Sequence, residues 1–278
     1  YLTQFLGGMR GLPGKLGQTL RGRAGFEFSE QRIQPEPWPE IRAVLDSAWG
    51  AERLAAVFGA GEPAPAAVAS LSQVYRARVE GREAAIKVQF IEIREAIERQ
   101  LRVLGWLGQP LKFFGGAFSL ESYREEFRRV IDEELDYRRE VASIERARST
   151  WIAREGIVVP EPCREWCGDK VIVTGWLDGL GVEDFAREAD RQARERGAEI
   201  LLNHFLESVF RDRWVHGDPH SGNFRFLPEG RVGVLDFGCM SEISENFCAA
   251  LVGLVRQLRR GQPFDALPSF LALGFDPA

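Results

Sequence analysis

The two most informative stretches of the sequence are HGDPHSGN at residues 216–223 and DFG at residues 236–238. In phosphoryl transfer an aspartate orients the nucleophile, an asparagine five positions later binds magnesium, and a further aspartate bridges the metal to the phosphates. Asp-Pro is common in turns and DFG alone is a weak match. All three residues in order nevertheless predict an ATP site, with Asp218 catalytic and with Asn223 and Asp236 as ligands of Mg²⁺.

A lysine lies on the second strand of a predicted hairpin, in which residues 71–79 and 83–90 flank a turn at residues 80–82. Lys87 follows Ala-Ala-Ile and precedes Val88. By itself it would be an ordinary exposed strand lysine. Upstream of an acidic helix and the 216–223 loop, it is predicted to bind the nucleotide phosphates and a helix glutamate.

The acidic helix downstream of Lys87 carries Glu134, Asp136 and Glu140. Asp136 and Glu140 share a face at i, i+4 spacing, whereas Glu134 lies about 200° from Asp136 on an ideal helix. The three cannot all meet Lys87 unless the helix bends or breaks. A solvated acidic face is the alternative for any one of them.

Residues 65–74 read PAAVASLSQV, where a typical protein kinase has a glycine-rich loop over the phosphates. Alanine is stiffer than glycine and favours negative φ, so this backbone is expected to approach a nucleotide differently.

The order of predicted elements indicates an α+β protein with a two-lobed, protein-kinase-like fold: a small antiparallel-sheet N-lobe and a mainly helical C-lobe, with a cleft between them. The predicted helical stretches are residues 39–58, 91–107, 120–148 and 183–210, and a last one follows residue 238. Two β-like runs between residues 157 and 177 are expected to close the small sheet. We predict an extension at residues 1–60, an N-lobe at 61–174 and a truncated C-lobe at 175–278.

Composition narrows the function further. The net charge of -5 comes from 41 acidic and 36 basic residues that are mixed along the chain, so nothing indicates a nucleic-acid partner. The four cysteines do not form a disulfide framework, and the Cys163 and Cys167 pair lacks the companions of a zinc site. The longest apolar runs are far shorter than a membrane span. We therefore expect a soluble fragment from a reducing compartment.

The chain resembles the UbiB family of atypical kinase-like proteins, which supports ubiquinone and related prenyl-lipid metabolism. Four features carry the resemblance, and they run from about residue 11 to residue 238. They are KLGQ at residues 15–18, the alanine-rich loop ending in Ser72-Gln73-Val74, Glu134-Leu135-Asp136 with Glu140, and the 216–223 loop.

The resemblance implies that the N-terminal extension covers the cleft, with Lys15 and Gln18 where a protein substrate would enter, meeting Glu134 and Asp136. It implies that Lys87 pairs with Glu140 and that Asp218, Asn223 and Asp236 serve MgATP. Nucleotide contacts are expected from the alanine-rich loop and the hinge, at Ala69, Ser70, Ser72, Gln73, Gly175, Trp176 and Leu177.

The chain departs from the family pattern at Ser221, where proline is usual, at Val68 and Ser72 in the alanine-rich loop, and at Gly175, where an acidic residue is common. These departures affect the fine tuning of nucleotide binding. Catalytic roles are expected for Lys15, Gln18, Lys87, Glu134, Asp136 and Asp218.

The resemblance implies an ATPase, or a phosphotransferase for small molecules or lipids, more than a protein kinase. Its expected cofactors are ATP and Mg²⁺, its partners a lipid or quinone precursor, and its location the cytoplasm with peripheral contact to the inner membrane. One alternative is an aminoglycoside- or choline-type kinase, although the KLGQ and Glu134-Leu135-Asp136 motifs have no role in that scheme. Another is a scaffold that binds ATP without turning it over.

Overall fold

The computed structural model describes residues 34–69, 71–91, 93, 128–129, 132–261 and 265–275. Predictions for Lys15, Gln18 and Ser70, for nearly all of the helix at 91–107 and for residues 120–127 and 130–131 of the helix at 120–148 lie outside these residues. The described residues divide into two compact units. Unit 1 holds those up to Ala142 together with Glu161–Trp176, and unit 2 holds Ser143–Pro160 and those from Leu177 onward. The domain limits at residues 60 and 174 stay a prediction.

Helices and strands follow one another in short groups along the described chain. The helices are α1 (Trp38–Trp49), α2 (Ala51–Phe58), α3 (Tyr137–Thr150), α4 (Val182–Glu188), α5 (Arg191–Glu207), α6 (Glu245–Arg259) and α7 (Leu267–Ala272). The strands are β1 (Ala67–Val68), β2 (Ser72–Val79), β3 (Arg82–Gln89), β4 (Ile157–Val158), β5 (Val171–Gly175), β6 (Trp214–His216), β7 (Phe224–Leu227), β8 (Arg231–Val234) and β9 (Met240–Glu242). None of the helices in the described ranges combines the length and apolar character needed to cross a bilayer.

The predicted helical region at 39–58 is two helices. Ile41, Val44 and Leu45 repeat at helical spacing and are buried, which gives α1 one apolar face. Gly50 separates α1 from α2 because its φ of 80° lies in the left-handed region, which glycine adopts without strain.

The sheet of unit 1 is antiparallel, with the strand order β1-β2-β3-β5. The predicted hairpin between β2 and β3 is present, and it turns at Glu80 (φ 51°) and Gly81 (φ 79°). Two consecutive positive φ values are the mark of the type I′ turn that suits twisted strands.

The two faces of this sheet differ. Tyr75, Ile86 and Val173 point to one face and pack in the core with α1 and α2. Side chains alternate along a strand, so Lys87, next to Ile86, belongs to the opposite face, where it pairs across the ladder with Val74 and Ile172. The alternation therefore turns Lys87 away from the apolar core.

The two β-like runs between residues 157 and 177 were expected to close the same small sheet, but they belong to different sheets. Only β5 pairs with β3, whereas β4 pairs in parallel with β8 in unit 2. Both runs are short and apolar, so their composition could not reveal the partner of each.

The predicted helix at 183–210 is interrupted in unit 2. Asp190 separates α4 from α5 and caps α5, because its carboxylate accepts a hydrogen bond from the backbone of Ala193 at 2.8 Å. A π-helical turn, Ser208–Asp212, ends α5 and leads into β6. The predicted hairpin then follows as β7 and β8.

Candidate active site

Lys87 in unit 1 makes a bidentate ion pair with Glu140. The Lys87 Nζ atom lies 2.9 Å from both carboxylate oxygens, and the two side chains are 22% and 3% exposed. The ring of Tyr137 lies 5.2 Å from Nζ and adds a cation–π contact. Lys87 is thus held on the face of the sheet that points away from the core.

Asp136 explains how α3 presents Glu140. Its carboxylate accepts a hydrogen bond from the Arg139 backbone N–H at 3.0 Å, and its carbonyl accepts one from Glu140 at 3.1 Å, so Asp136 caps the helix. The chain breaks from helical form at Leu135 and Asp136. Glu134 therefore precedes the break and Glu140 follows it. The angles between acidic side chains on one straight helix do not apply to these two residues.

Asp136 has a structural role in the described residues, as the cap that fixes Tyr137 and Glu140. Its predicted contacts with Lys15 and Gln18 fall on residues outside the described ranges. The catalytic roles expected of Lys15, Gln18, Glu134 and Asp136 stay predictions.

The alanine-rich loop is a tight connection between β1 and β2. The Ala69 N–H donates to the Ser72 carbonyl at 2.8 Å, and Ala69 is exposed beside the turn. Ser72 is 3% exposed. Ser70 lies outside the described residues.

The side chain of Gln73 lies on the core side of the sheet, and the predicted nucleotide contact of this residue stays a prediction. Its side chain is fully buried, accepts a hydrogen bond from the Glu36 N–H at 2.9 Å and bonds to the hydroxyl of Tyr75. Gln73 shares the core face of β2 with Tyr75, so it fastens the segment before α1 to the sheet.

The predicted hinge residues occupy the end of β5. Gly175 donates its N–H to Glu161 at 2.9 Å, and Trp176 donates its N–H to Glu83 at 3.0 Å. The guanidinium of Arg76 lies 4.9 Å from the indole ring of Trp176. These contacts belong to unit 1 and fix the backbone of the predicted hinge on that side.

Leu177 is the first residue of unit 2 in this region, and its side chain packs on β8. A Cβ atom at Gly233 would come within 2.6 Å of Leu177 Cδ1, so the glycine lets Leu177 pack closely on β8. A direct nucleotide contact by Gly175, Trp176 or Leu177 stays a prediction.

The 216–223 loop of unit 2 begins on a short ladder between β6 and β9. His216 pairs with Met240, and the Gly217 N–H donates to the Cys239 carbonyl at 2.8 Å. A Cβ at Gly217 would lie only 2.7 Å from that carbonyl oxygen, so only glycine fits. The two predicted motifs are therefore joined through their backbones.

Hydrogen bonds close the loop around His216 and Asn223. The Asp218 N–H donates to His216 Nδ1 at 3.2 Å, and Asn223 Nδ2 donates to the Asp218 carbonyl at 3.0 Å. The Leu235 N–H donates to the Asn223 carbonyl at 2.9 Å, which places Asp236 next to the loop. The structure thus brings Asp218, Asn223 and Asp236 together within unit 2.

His216 is a neutral acceptor at this site. Burial lowers the pKa of its imidazole, and the nearby charges of Asp236 and Asp218 oppose that shift without reversing it. A neutral imidazole has one nitrogen that accepts a hydrogen bond, and here that is Nδ1. His216 therefore holds the Asp218 backbone without adding positive charge beside the carboxylates.

The donor set in unit 2 fits Mg²⁺. Asn223 directs its Nδ2 group at a backbone carbonyl, so its amide oxygen is the atom that could bind a cation, and Asp236 would add a carboxylate. Within the described residues no three His, Cys, Asp or Glu side chains form a metal cluster. Mg²⁺ needs no such cluster, because proteins bind it through one or two carboxylates together with substrate phosphates and water.

Two organising residues were not predicted as part of the site. Tyr137 lies three residues before Glu140, a helical spacing that puts both on one face, and this signal was available in the sequence. His216 stood inside the quoted motif but received no role, because its burial and its bond to the Asp218 backbone depend on the β6–β9 ladder.

The comparisons with known proteins agree with this architecture. Residues 29–262 match the model of the ABC1 atypical kinase-like domain. The chain is 31% identical over 242 residues to a probable protein kinase UbiB of Aeromonas hydrophila, covering 79% of this chain and 43% of that protein. It is 32% identical over 226 residues to ACTIVITY OF BC1 COMPLEX KINASE 1, a chloroplastic protein of Arabidopsis thaliana, covering 75% and 32%.

A solved structure shares the fold. It is the complex of Rv3197 with erythromycin from Mycobacterium tuberculosis, which matches with a TM-score of 0.70 and 26% identity, over 96% of this chain and 71% of that one. The chain spans less than two thirds of the curated relatives it matches, for instance 62%, 30% and 31% of three of them. The expected kinase-like α+β fold and the UbiB resemblance are confirmed, and the chain belongs to the ABC1 atypical kinase-like family.

Proposed function

We propose that this chain binds MgATP and uses it as an ATPase or as a phosphotransferase for a small molecule or lipid, in support of ubiquinone or isoprenoid-lipid metabolism. The observation that carries the proposal is the arrangement of Asp218, Asn223 and Asp236 around neutral His216 in unit 2. That arrangement combines a candidate base with two cation ligands on a hydrogen-bonded backbone. Family membership supports the same reading.

Each residue has a proposed task. Lys87, steadied by Glu140, neutralises phosphate charge, and Asn223 and Asp236 hold the cation. Asp218 orients an attacking hydroxyl or water and accepts its proton. When bound, MgATP would supply the transferable phosphoryl group, and its Mg²⁺ would neutralise negative charge on the phosphate oxygens.

The lipid link and the cellular location rest on the family resemblance. We propose that the protein works in the cytoplasm at the surface of the inner membrane, on a lipid or a quinone precursor with a phenol-like ring. The quinone part of this proposal follows from the resemblance to the UbiB family, of which a probable protein kinase is among the matched relatives.

The test is ATP hydrolysis by purified protein, with and without anionic vesicles and phenol-like quinone precursors. We expect Mg²⁺-dependent turnover that lipid raises and that Asp218→Asn lowers by about 100-fold or more, because the base is lost. Asp184→Asn is the matched control, since Asp184 is an exposed residue of α4 paired with Arg187. Turnover that is equal in Asp218→Asn and wild type would refute the proposed role of Asp218 as the base.

Binding without turnover would instead support a scaffold that uses ATP as a structural ligand. The retained Asp218 disfavours that role, because a protein that only binds nucleotide has no need of a base at this position. A wild-type protein that binds MgATP with micromolar affinity and never hydrolyses it would decide for the scaffold.

A second candidate is the phosphorylation of a hydroxylated small molecule, as in aminoglycoside- or choline-type kinases. The observation in its favour is that the structurally similar Rv3197 was solved as a complex with erythromycin. Choline, an aminoglycoside and erythromycin should be offered as acceptors in the same assay. Transfer that exceeds hydrolysis with one of them, and that depends on Asp218, would select this candidate.

A further inference from the structure

Unit 2 contains a buried polar cluster outside the proposed MgATP site. Its centre is Arg154, whose side chain is 2% exposed. Arg154 Nη1 lies 2.6 Å from His204 Nδ1 and 2.9 Å from Ser208 Oγ, and Nη2 forms an ion pair with Asp212. The guanidinium thus joins α5 to the π-helical turn that follows it.

The charge state of the cluster follows from its burial. Burial lowers the pKa of Arg154, but the carboxylates of Asp212 and Glu207 oppose the shift and keep the guanidinium charged. Burial and the neighbouring Arg154 lower the pKa of His204 to about 3, so this imidazole is neutral and accepts from Arg154. A charge this deep in the unit holds its partners in one geometry, because any other geometry would leave it unpaired.

The clamped turn leads directly to the proposed site. Ser208–Asp212 is π-helical, a form that is rare and often found near functional sites. Arg213 follows with a left-handed φ of 52°, and β6 then carries His216. The turn therefore sets where the strand of the 216–223 loop begins.

Trp151 connects this clamp to the 236–238 segment. Its indole Nε1 donates to Asp212 at 3.1 Å, and the side chain is nearly fully buried. The ring centroid lies 4.4 Å from His204, 5.7 Å from Trp214 and 5.9 Å from Phe237. One side chain thus touches the first residue of β6 and the phenylalanine that follows Asp236.

We infer that Trp151, fixed by Asp212 and Arg154, is a positioning residue that holds residues 214–223 and 236–238 in a common geometry. The inference rests on the proposed function only in identifying these two segments as the MgATP site. It goes beyond that function because it assigns a task to a separate cluster. No described hydrogen bond or ion pair joins this cluster to the side chains of Asp218, Asn223 or Asp236.

The chain offers a matched control at Trp166. This tryptophan is also buried, at 7% exposed, and its Nε1 donates to the Glu80 carboxylate at 2.9 Å. It packs on Trp49 in unit 1, with ring centroids 5.2 Å apart. Trp166→Phe therefore removes the same kind of bond as Trp151→Phe, in a region without the two segments.

The test is amide hydrogen exchange by mass spectrometry of wild type, Trp151→Phe and Trp166→Phe. We expect Trp151→Phe to speed exchange about tenfold in residues 214–223 and 236–240 and to leave β7 and β8 unchanged, because the loss of the bond loosens only the two held segments. Trp166→Phe should not affect these segments.

Exchange that is faster throughout unit 2, or unchanged in both segments, would overturn the inference. Exchange does not depend on turnover, so it decides the inference even if wild type proves inactive and the proposed function fails. If wild type is active, Trp151→Phe should lower kcat more than it raises KM for MgATP, whereas a purely stabilising role would change neither at a temperature where both proteins are folded.

Discussion

Each unit carries its own group of proposed nucleotide-binding residues, and the two groups are held by different forces. In unit 1 the functional side chain is a lysine fixed by a buried carboxylate, at 2.9 Å to each oxygen. In unit 2 the functional carboxylates stand on a backbone that is fixed by neutral groups, chiefly His216 and Asn223. The lysine is held by charge and the carboxylates by hydrogen bonds.

The difference follows from the charge that each part presents. In the absence of phosphate, a carboxylate stabilises the lysine ammonium. A phosphate oxygen can then bind the same ammonium without moving it. A protonated histidine would neutralise the negative charge of carboxylates that are proposed to bind a cation. A neutral imidazole leaves that charge in place. The comparison predicts that the two units respond differently to substitution and to pH.

The largest effect is expected for Glu140→Ala, because it removes the carboxylate that neutralises the Lys87 ammonium in a mostly buried position. Breaking a buried pair by removing one partner typically costs about 3–5 kcal/mol, and the partial exposure of Lys87 favours the lower end. Urea unfolding followed by exchange in β2 and β3 would measure the cost. Glu195→Ala removes one partner of an exposed pair in α5 and should leave the unfolding midpoint unchanged.

His216 offers a test of the hydrogen-bonded part. His216→Leu leaves the Asp218 N–H without its acceptor and should cost about 1–3 kcal/mol in the stability of unit 2. His216→Asn places an oxygen near the position of Nδ1 and should recover part of that cost. Urea unfolding of both variants is the measurement, and equal losses in the two would contradict the acceptor role.

The free energy of unfolding should depend on pH differently in the two units. The three histidines of the chain are His204, His216 and His220, and all of them lie in unit 2. The folded pKa of His204 is about 3, below its ordinary value of 6.5, so the unfolded chain takes up a proton that the folded unit does not. Stability therefore falls as pH drops from about 6.5 towards 3, by up to about 1.4 kcal/mol per pH unit for this histidine.

His204→Asn is the variant for this prediction, since asparagine keeps an acceptor for Arg154 and does not titrate. Urea unfolding of unit 2 between pH 7 and pH 5 should show a shallower pH dependence in the variant than in wild type. Identical slopes would show that His204 is not neutral in the folded protein.

The smallest effect is expected at Ser221, where the family usually has proline. Ser221 is the first residue of a short 3₁₀ turn, and His220 before it is extended (φ -76°, ψ 160°), as a residue before proline should be. Ser221→Pro loses only an exposed bond to Glu183 at 2.9 Å. Turnover should change less than about twofold, and a large loss would show that the hydroxyl contributes to the site.

Much of the site could be predicted because its signals are local. The hairpin around Gly81 and the spacing from Asp218 to Asn223 depend on a few neighbouring residues, and the structure contains both the hairpin and the loop. The pairing of Lys87 with Glu140 followed from the family resemblance, and it is present.

Other features required the tertiary structure. The sequence indicated that the acidic helix must bend or break, but it did not indicate where. The break at Leu135 and Asp136 could not be located because an aspartate can stand inside a helix or cap its end, depending on its neighbours. The burial of the Gln73 side chain could not be predicted, because the two faces of a strand cannot be told apart when both carry polar residues. The partner of β4 was missed because strand pairing over long sequence separations leaves no local signal.

The most direct test of the central claim is the equilibrium binding of ATP by calorimetry, with and without Mg²⁺. For wild type and for the control Asp184→Asn we predict that Mg²⁺ tightens ATP binding by about tenfold or more, because the cation joins the phosphates to Asn223 and Asp236. For Asp236→Asn we predict that this Mg²⁺ effect is lost. ATP binding that ignores Mg²⁺, or a full Mg²⁺ effect in Asp236→Asn, would contradict the account.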